Sequence, residues 1–534
     1  MTLKKRLITI LIIALCAGGI YTAGHLGLTV QPKQEEAPEE DFLFGHRETL
    51  YLWYTDEALT DYLNSVAVSY SEYQDDVRVV PVYTSGREYL ETVNQASLHT
   101  EEVPDLYIVS NDSLEKAYLS GLASQVSLPE GVPSMEQVFP ETAVSAVTYD
   151  GMQIAYPFYF ETSCFLYNLT YMKDWARAQI EAERDMAEAE EAQQQIDSGQ
   201  EPEEDAGQDS DAGDSGESDD STDGQEDAAP EAAEEGGSGI SEEEVADRVR
   251  QALPDTIDDI RDFADVYDAP EQVEAVFKWD VSDIFYNYFF VGDAIDVGGA
   301  NGDKADSIDI YNENAIKSMR VYQDLNQFFS IDTKEISYDG VLQDFMDGKV
   351  VYTVATSDAL SKIEAARAEG NFAYEYGIST LPGVSEEIDS ASLSVTQCVV
   401  VNGYSVKKDM ANDFAVYLSE YASDTLYART GKLPVSDTGD TYEDANRSAF
   451  LEEYKSSVPM PKMIETSNFW VELEITFARI WEGEDANNGL KSLSEKIMSQ
   501  VVGGEYTEEY IDLPEEVQEE YVDEETTEEI PEGD

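Results

Sequence analysis

The sequence predicts an α/β fold with mainly parallel sheets. From residue 49 onward, short apolar runs alternate with stretches whose apolar residues recur at helical spacing. This alternation indicates βαβ units, and runs that are apolar throughout are typical of strands covered on both faces. With 42% hydrophobic residues in a chain of 534, there is enough apolar material to fill sizeable cores.

The predicted elements follow one another without an all-β or all-α block. Runs such as TLYLWY and VVYTVA are rich in β-branched and aromatic residues, which favours strands, whereas apolar residues three or four positions apart favour helices. The predicted strands cover 49–54, 77–83, 105–109, 154–167, 350–355, 376–380 and 398–401. The predicted helices cover 57–73, 88–98, 315–329, 357–368, 409–420 and 469–480.

Two acidic segments interrupt or follow this pattern. Residues 177–249 and 504–534 are rich in Asp and Glu, and the first also in Gly and Ser. Such compositions cannot bury enough apolar surface to offset the entropy of ordering, so we expect a disordered acidic insertion and a disordered acidic tail. No metal site is expected in the insertion, because the best match to a calcium loop, starting at Asp219, has Pro230 at its twelfth position.

The charge excludes whole classes of partner. The chain has 113 Asp and Glu against 32 Lys and Arg, a formal net charge of −81. Such a surface repels phosphate, which excludes nucleic-acid binding through the chain's own charge and unaided docking on an anionic lipid surface.

The N-terminus predicts export. Lys4, Lys5 and Arg6 precede an apolar stretch that ends near residue 30, which is typical of a signal peptide or membrane anchor over 1–30, followed by a tether over 31–46. Cys16 could be a lipidation site, although Leu15 is bulky for that motif. We expect a protein held at the extracellular face of the cytoplasmic membrane, or secreted if the signal is cleaved.

Catalytic motifs are missing from the sequence. With three histidines and three cysteines, and without a nucleophile elbow, P-loop or zinc motif, neither an enzyme, a metal site nor a cofactor is expected. Cys164 and Cys398 lie in apolar runs, which indicates two buried thiols, and a single disulfide bridge remains the alternative.

Several local patterns occur in a definite order. They are a strand ending in Trp53-Tyr54, VPDL at 103–106, YDGMQIAYP at 149–157 with FLYN at 165–168, FMDGK at 345–349, LPG at 381–383 and SNFW at 467–470. In this order and spacing the sequence resembles the extracellular solute-binding proteins of ABC importers, and specifically the maltose-binding-like group. The resemblance covers 49–501 apart from the acidic insertion.

This resemblance implies a two-lobed periplasmic-binding-protein-like fold of type II, with ligand held between lobes that close about a hinge. Lobe one would comprise 47–157 and 396–440, and lobe two 158–395 and 441–503. The chain would cross between them near 156–157 and 394–398.

The resemblance also implies a ligand site. The expected ligand-binding residues are Tyr54, Thr55, Asp56, Asn111, Asp112, Tyr159, Glu161, Tyr286, Tyr288, Phe289 and Trp470. Flat aromatic surfaces and carboxylates suit a sugar, which has an apolar face and a rim of hydroxyl groups. Alternatives stay open: Asp112 could cap the helix beginning near residue 114, Glu161 could join the lobes, and Tyr286, Tyr288 and Phe289 could be core. Where the group often has a tryptophan, this chain reads TSD at 356–358.

Two functional hypotheses follow. In the first, the protein captures a neutral or cationic small-molecule solute, with an oligosaccharide as the leading candidate, and delivers it to the membrane subunits of an ABC permease. The alternative is a glycan-binding sensor or surface adhesin with the same fold and no transport role.

Overall fold

The computed structural model describes residues 47–86, 88–99, 103–197, 239–329, 331–437 and 439–514. The predictions for the signal or anchor, for Cys16 and for the tether therefore lie outside the described residues, as do those for 198–238 and 515–534. Within the described ranges, no helix combines the length and the apolar character needed to cross a membrane.

Ten strands of the described residues form one mixed sheet, with the order β2-β1-β3-β10-β6-β8-β7 and three short additions, β9 and β11 on β6 and β12 on β10; β4 and β5 form a separate hairpin. The strands are β1 Glu48–Tyr54, β2 Val77–Tyr83, β3 Leu106–Ser110, β4 Thr148–Tyr149, β5 Met152–Gln153, β6 Tyr156–Asn168, β7 Ala275–Phe277, β8 Val350–Thr356, β9 Tyr376–Ser379, β10 Leu393–Val401, β11 Leu433–Pro434 and β12 Val458–Pro459.

Helices cover the sheet and complete the predicted α/β class. They are α1 Thr60–Tyr73, α2 Tyr89–His99, α3 Leu114–Leu119, α4 Met135–Val138, α5 Glu141–Val147, α6 Leu169–Asp197, α7 Glu242–Gln251, α8 Ile257–Val266, α9 Glu313–Phe329, α10 Tyr338–Met346, α11 Asp358–Ala368, α12 Lys408–Val416, α13 Leu426–Thr430, α14 Ala445–Ser456, α15 Phe469–Trp481 and α16 Ala486–Val502. A π-helical turn, Tyr417–Tyr421, extends α12.

Strand direction differs in part from the prediction of mainly parallel sheets. β1 pairs in parallel with β2 and β3, and β7 in parallel with β8. The long strands β6 and β10 instead pair antiparallel with each other, and antiparallel with β8 and β3, respectively. The first half of β6 pairs with β10 and its second half with β8, and both neighbours run opposite to it, so the centre of the sheet is antiparallel.

Two hydrophobic cores lie along this sheet. The first is built around β1, β3 and the outer part of β10, with buried side chains such as Leu52 and Val400. The second is built around α9, α15 and α16, with Trp279 and Trp481 at its centre. The three central strands β6, β8 and β10 contribute side chains to both cores, so the middle of the sheet joins the two halves of the molecule.

Both acidic segments are ordered further than predicted. α6 continues to Asp197 and α7 begins at Glu242, so the prediction of disorder is wrong at both ends of 177–249. The ends fold because Ile180, Val245 and Val249 are buried together and because ion pairs connect the two helices, including Arg248–Glu183 at 2.7 Å.

The acidic tail is also ordered at its start, where the prediction of disorder over 504–534 is wrong. The side-chain amide of Asn487 donates to the carbonyl of Ile511 at 2.8 Å, and the Ile511 amide donates to the hydroxyl of Tyr311 at 3.0 Å. Ile511 and Leu513 pack on the second core. These two apolar side chains order a stretch that its acidic composition alone predicts to be disordered.

The two described cysteines do not pair. Cys164 and Cys398 are free and buried, and burial raises the pKa of both thiols. This agrees with the interpretation as buried thiols.

Candidate functional site

A cleft of ≈ 810 Å³ lies where segments from the two halves meet. On one side it is lined by Ala58 after β1, by Glu161 of β6 and by the turn 430–432. On the other side it is lined by 283–286, the start of α10, the junction of β8 with α11, and Trp470 at the start of α15. Its size lies within the range of roughly 300–1,000 Å³ that is usual for small-molecule sites.

The first charged group of the cleft is the Lys432 cluster, formed by Asp56, Tyr159, Glu161 and Lys432. The ammonium of Lys432 lies 3.0 Å from Glu161 Oε1 and 3.2 Å from Asp56 Oδ2. It also lies 5.5 Å from the centre of the Tyr159 ring. Burial alone would lower the pKa of Lys432, but the carboxylates of Glu161 and Asp56 raise it above its usual value.

Local structure explains how these residues meet. Asp56 follows β1 and accepts a hydrogen bond from the Ala58 amide at 3.0 Å, which fixes the turn into α1. Gly431 ends α13 with φ 73°, a left-handed conformation that favours glycine. β11 then pairs with β6 at Leu433–Phe160, and this brings Lys432 beside Glu161 although the two are 271 positions apart in the chain.

The second charged group is the Lys362 cluster, formed by Tyr338, Asp339, Asp358 and Lys362. Lys362 bridges Asp339 at 2.7 Å and Asp358 at 2.8 Å, and its ammonium lies 4.8 Å from the centre of the Tyr338 ring. Tyr338 in turn donates to Asp358 at 2.6 Å.

Asp358 is an acceptor held ionised at the N-terminus of α11. Burial opposes ionisation, but hydrogen bonds from Lys362, Thr356 and Tyr338 outweigh it and lower the pKa of Asp358. Burial and the Asp358 charge raise the pKa of Tyr338, so this hydroxyl stays a donor. Asp358 belongs to the TSD segment at 356–358.

Aromatic side chains form the apolar part of the cleft. Tyr286 stacks on Tyr338 with ring centres 4.7 Å apart and planes 13° from parallel. Trp470 is partly exposed and contacts Tyr288, with ring centres 5.7 Å apart. Tyr286, Tyr338 and Trp470 all line the cleft, so it combines rings with carboxylates.

The structure brings some predicted residues to the cleft and buries others. Glu161, Tyr286 and Trp470 line it, while Asp56 and Tyr159 reach it through Lys432. The others are not among the lining residues: Tyr54, Thr55, Asn111, Asp112, Tyr288 and Phe289.

For four of these the reason is burial. Tyr288 and Phe289 lie in the second core and Tyr54 in the first. The side chain of Asn111 is buried too: it donates to the Met460 carbonyl at 2.6 Å and accepts from the Thr396 backbone N–H at 3.0 Å, so it ties two segments together.

Exposed Asp112 does not cap α3, because its carboxylate accepts instead from the hydroxyls of Ser110 and Ser113.

Four cleft residues could not be identified from the sequence: Lys432, Lys362, Tyr338 and Asp358. Nothing in the sequence around the two lysines marks them as cleft residues, and the TSD segment that contains Asp358 departs from the pattern of the resemblance. Across the described ranges, no group of three or more His, Cys, Asp or Glu is arranged to hold a metal ion.

A buried lysine outside the cleft lining connects two further segments. Lys462 is 1% exposed and donates to the carbonyls of Ser145, at 2.9 Å, and Asn301. Burial lowers the pKa of Lys462 to about 8, against the opposing effects of Asp303 and Cys398.

Comparison with known proteins assigns the chain to a family. The profile of the family described as bacterial extracellular solute-binding protein matches residues 66–444, most of the chain. This protein belongs to that family. No curated protein matches the sequence.

Solved structures share the fold of this solute-binding protein. The extracellular solute-binding protein of Staphylococcus aureus, in complex with maltose, matches with a TM-score of 0.62 at 15% identity, over 86% of this chain and 99% of the other. The maltose-binding periplasmic protein of Listeria monocytogenes, also with maltose, matches with a TM-score of 0.60 at 18% identity, over 86% and 99%. A Streptococcus pneumoniae protein in complex with maltopentaose matches at 0.54 and 16%, over 84% and 99%. The predicted two-lobed fold is thereby confirmed, and the family and these neighbours are binding proteins.

Proposed function

We propose that this solute-binding protein captures a carbohydrate in the cleft and delivers it to the membrane subunits of an ABC permease. The observation that carries the proposal is the composition of the cleft: aromatic rings line it beside carboxylates that ion pairs hold in place. The rings of Tyr286, Tyr338 and Trp470 suit the apolar face of a sugar, and Glu161 and Asp358 suit its hydroxyl groups.

The energetics favour such a ligand. A buried hydroxyl that bonds a carboxylate contributes about 1.5–3 kcal/mol, so two or three such bonds account for micromolar binding together with ring stacking. The complexes of the neighbours with maltose and maltopentaose support a saccharide ligand, and the family supports transport as the purpose of capture.

A ligand panel tests the proposal. We expect at least one neutral oligosaccharide among maltose, maltotriose and non-glucose oligosaccharides to raise the melting temperature, while amino acids do not. Isothermal titration would then give the affinity. Stabilisation by amino acids and by none of the sugars would contradict the carbohydrate assignment.

Trp470 is the residue to change first. Trp470→Ala should weaken sugar binding by about tenfold or more, because aromatic anchors carry a large share of binding energy. Val471→Ala is the matched control, since Val471 neighbours Trp470 on α15 and is 59% exposed. If Trp470→Ala unfolds the protein, Trp470 is part of the core and not a ligand contact.

We also propose that residues 1–30 direct export and hold the protein at the extracellular face of the cytoplasmic membrane. Fractionation of cells that express either the full chain or its Cys16→Ser variant tests this. Loss of the membrane-bound fraction only in Cys16→Ser would favour a lipid anchor, whereas an unchanged bound fraction would favour a retained apolar segment.

A further inference from the structure

The two charged clusters of the cleft share one arrangement. In each, a single lysine bridges two carboxylates and lies over a tyrosine ring: Lys432 bridges Asp56 and Glu161, and Lys362 bridges Asp339 and Asp358. The ring is that of Tyr159 in the first cluster and that of Tyr338 in the second.

The two lysines follow residues that lie close together in space. Gly431 faces Ser361, and a Cβ placed on Gly431 would lie 3.5 Å from the Cβ of Ser361. Lys432 and Lys362 each directly follow one of these two residues. Both belong to the lining of the same cleft, so a ligand that enters meets both clusters.

Carboxylates beside an aromatic ring are also the natural receptor for a cation. An ammonium group gains charge-assisted hydrogen bonds from the carboxylates and a cation–π contact from the ring. The net charge of −81 would further concentrate cations near the protein. Without the lysines, this cleft would be suited to amines.

In the structure, the ammonium groups of Lys432 and Lys362 already occupy the positions between the carboxylates where the ammonium of a ligand would bind. A cationic ligand would have to displace a tethered lysine, which competes at a high effective concentration. A neutral hydroxyl group can bind without displacing the lysine, because each carboxylate has about four lone-pair sites and the lysine uses only part of them. The lysine is in addition a donor for a hydroxyl oxygen.

We propose that Lys432 and Lys362 exclude cationic ligands from the cleft and make it selective for uncharged polyhydroxy ligands. The inference rests on the proposed carbohydrate function and deepens it, since it names the residues that set the charge of the accepted ligand.

The test compares spermidine with a neutral sugar by isothermal titration at low salt. Because the chain has a net charge of −81, wild type should give only the weak, non-saturating heat of non-specific association with spermidine, and no saturable binding step. Lys432→Met and Lys362→Met should each raise spermidine affinity by at least about tenfold, since each leaves two carboxylates unpaired, and the double variant should bind most tightly. Lys432→Arg and Lys362→Arg keep the charge and should still exclude spermidine. If a Met variant does not fold, as judged by circular dichroism, Gln takes its place.

Lys455→Met is the matched control, because Lys455 pairs with Glu452 on the surface, at 2.7 Å, and is not among the residues that line the cleft. This control removes one positive charge but should give the same spermidine titration as wild type, without a saturable binding step. Equal spermidine binding by wild type and the double variant, or no binding by the double variant, overturns the proposal. The outcome is independent of the sugar: if no sugar binds wild type, the carbohydrate function fails while the gain of spermidine binding still reports on the lysines.

Discussion

Lys462 makes the stability of this protein depend on pH in a defined range. Its folded-state pKa is about 8, and its ordinary value is 10.5. Below about pH 8 the folded and unfolded chains both hold the proton. Between pH 8 and 10.5 only the unfolded chain holds it, so the free energy of unfolding rises with pH in that range. Moving a pKa from 10.5 to about 8 corresponds to about 3 kcal/mol of stability gained across the range.

Lys462→Met removes this titration. We therefore expect the stability of wild type, relative to Lys462→Met, to rise by up to about 3 kcal/mol between pH 7.5 and 10.5. Urea denaturation at intervals of half a pH unit measures it, and taking the difference cancels the titration of tyrosines and other lysines that both proteins share. Lys317→Met is the control, since Lys317 is 36% exposed and lies 3.8 Å from Glu387. A difference between wild type and Lys462→Met that stays constant with pH would refute the reasoning.

Three further predictions concern stability and the acidic insertion. Tyr338→Phe removes the hydrogen bond to Asp358 and should cost about 1 kcal/mol in urea denaturation, with an unchanged circular dichroism spectrum. Trp481→Ala should cost about 3–5 kcal/mol, because this buried ring packs edge-on against Trp279; a loss below 1 kcal/mol would contradict its place in the core. Deletion of 198–238 should leave the ligand affinity measured by titration unchanged, because neither α6 nor α7 lines the cleft.

Elements with strong patterns could be predicted from the sequence. β2 occupies the predicted residues 77–83, and α15 differs from its predicted span by one residue. β10 was predicted to begin at 398 but begins at Leu393. In its first half, Ser394 and Thr396 alternate with apolar residues, so this stretch looks polar in the sequence. In the structure both side chains are buried, and the stretch pairs with β6.

The cleft was harder to predict than the fold because its contacts join distant residues. Asp56 and Glu161 were found through motifs, but their common partner Lys432 is 271 positions from Glu161. That pairing exists only after β11 adds to β6, which no local pattern specifies. Tyr288 and Phe289 show the converse difficulty: their aromatic character fits a ligand site and a core equally well, and only packing decides.

The same ambiguity applies to the ligand. A carboxylate beside a tyrosine can accept a sugar hydroxyl or an ammonium, so residue types alone left neutral and cationic solutes both open. Occupancy separates them, because a second cation would have to displace the lysine that already lies between the two acids, whereas hydroxyl groups can bond the lone pairs that the lysine leaves free. In a chain with a net charge of −81, where carboxylates are abundant, the scarcer lysines of the cleft therefore carry more information about the ligand than the acids do.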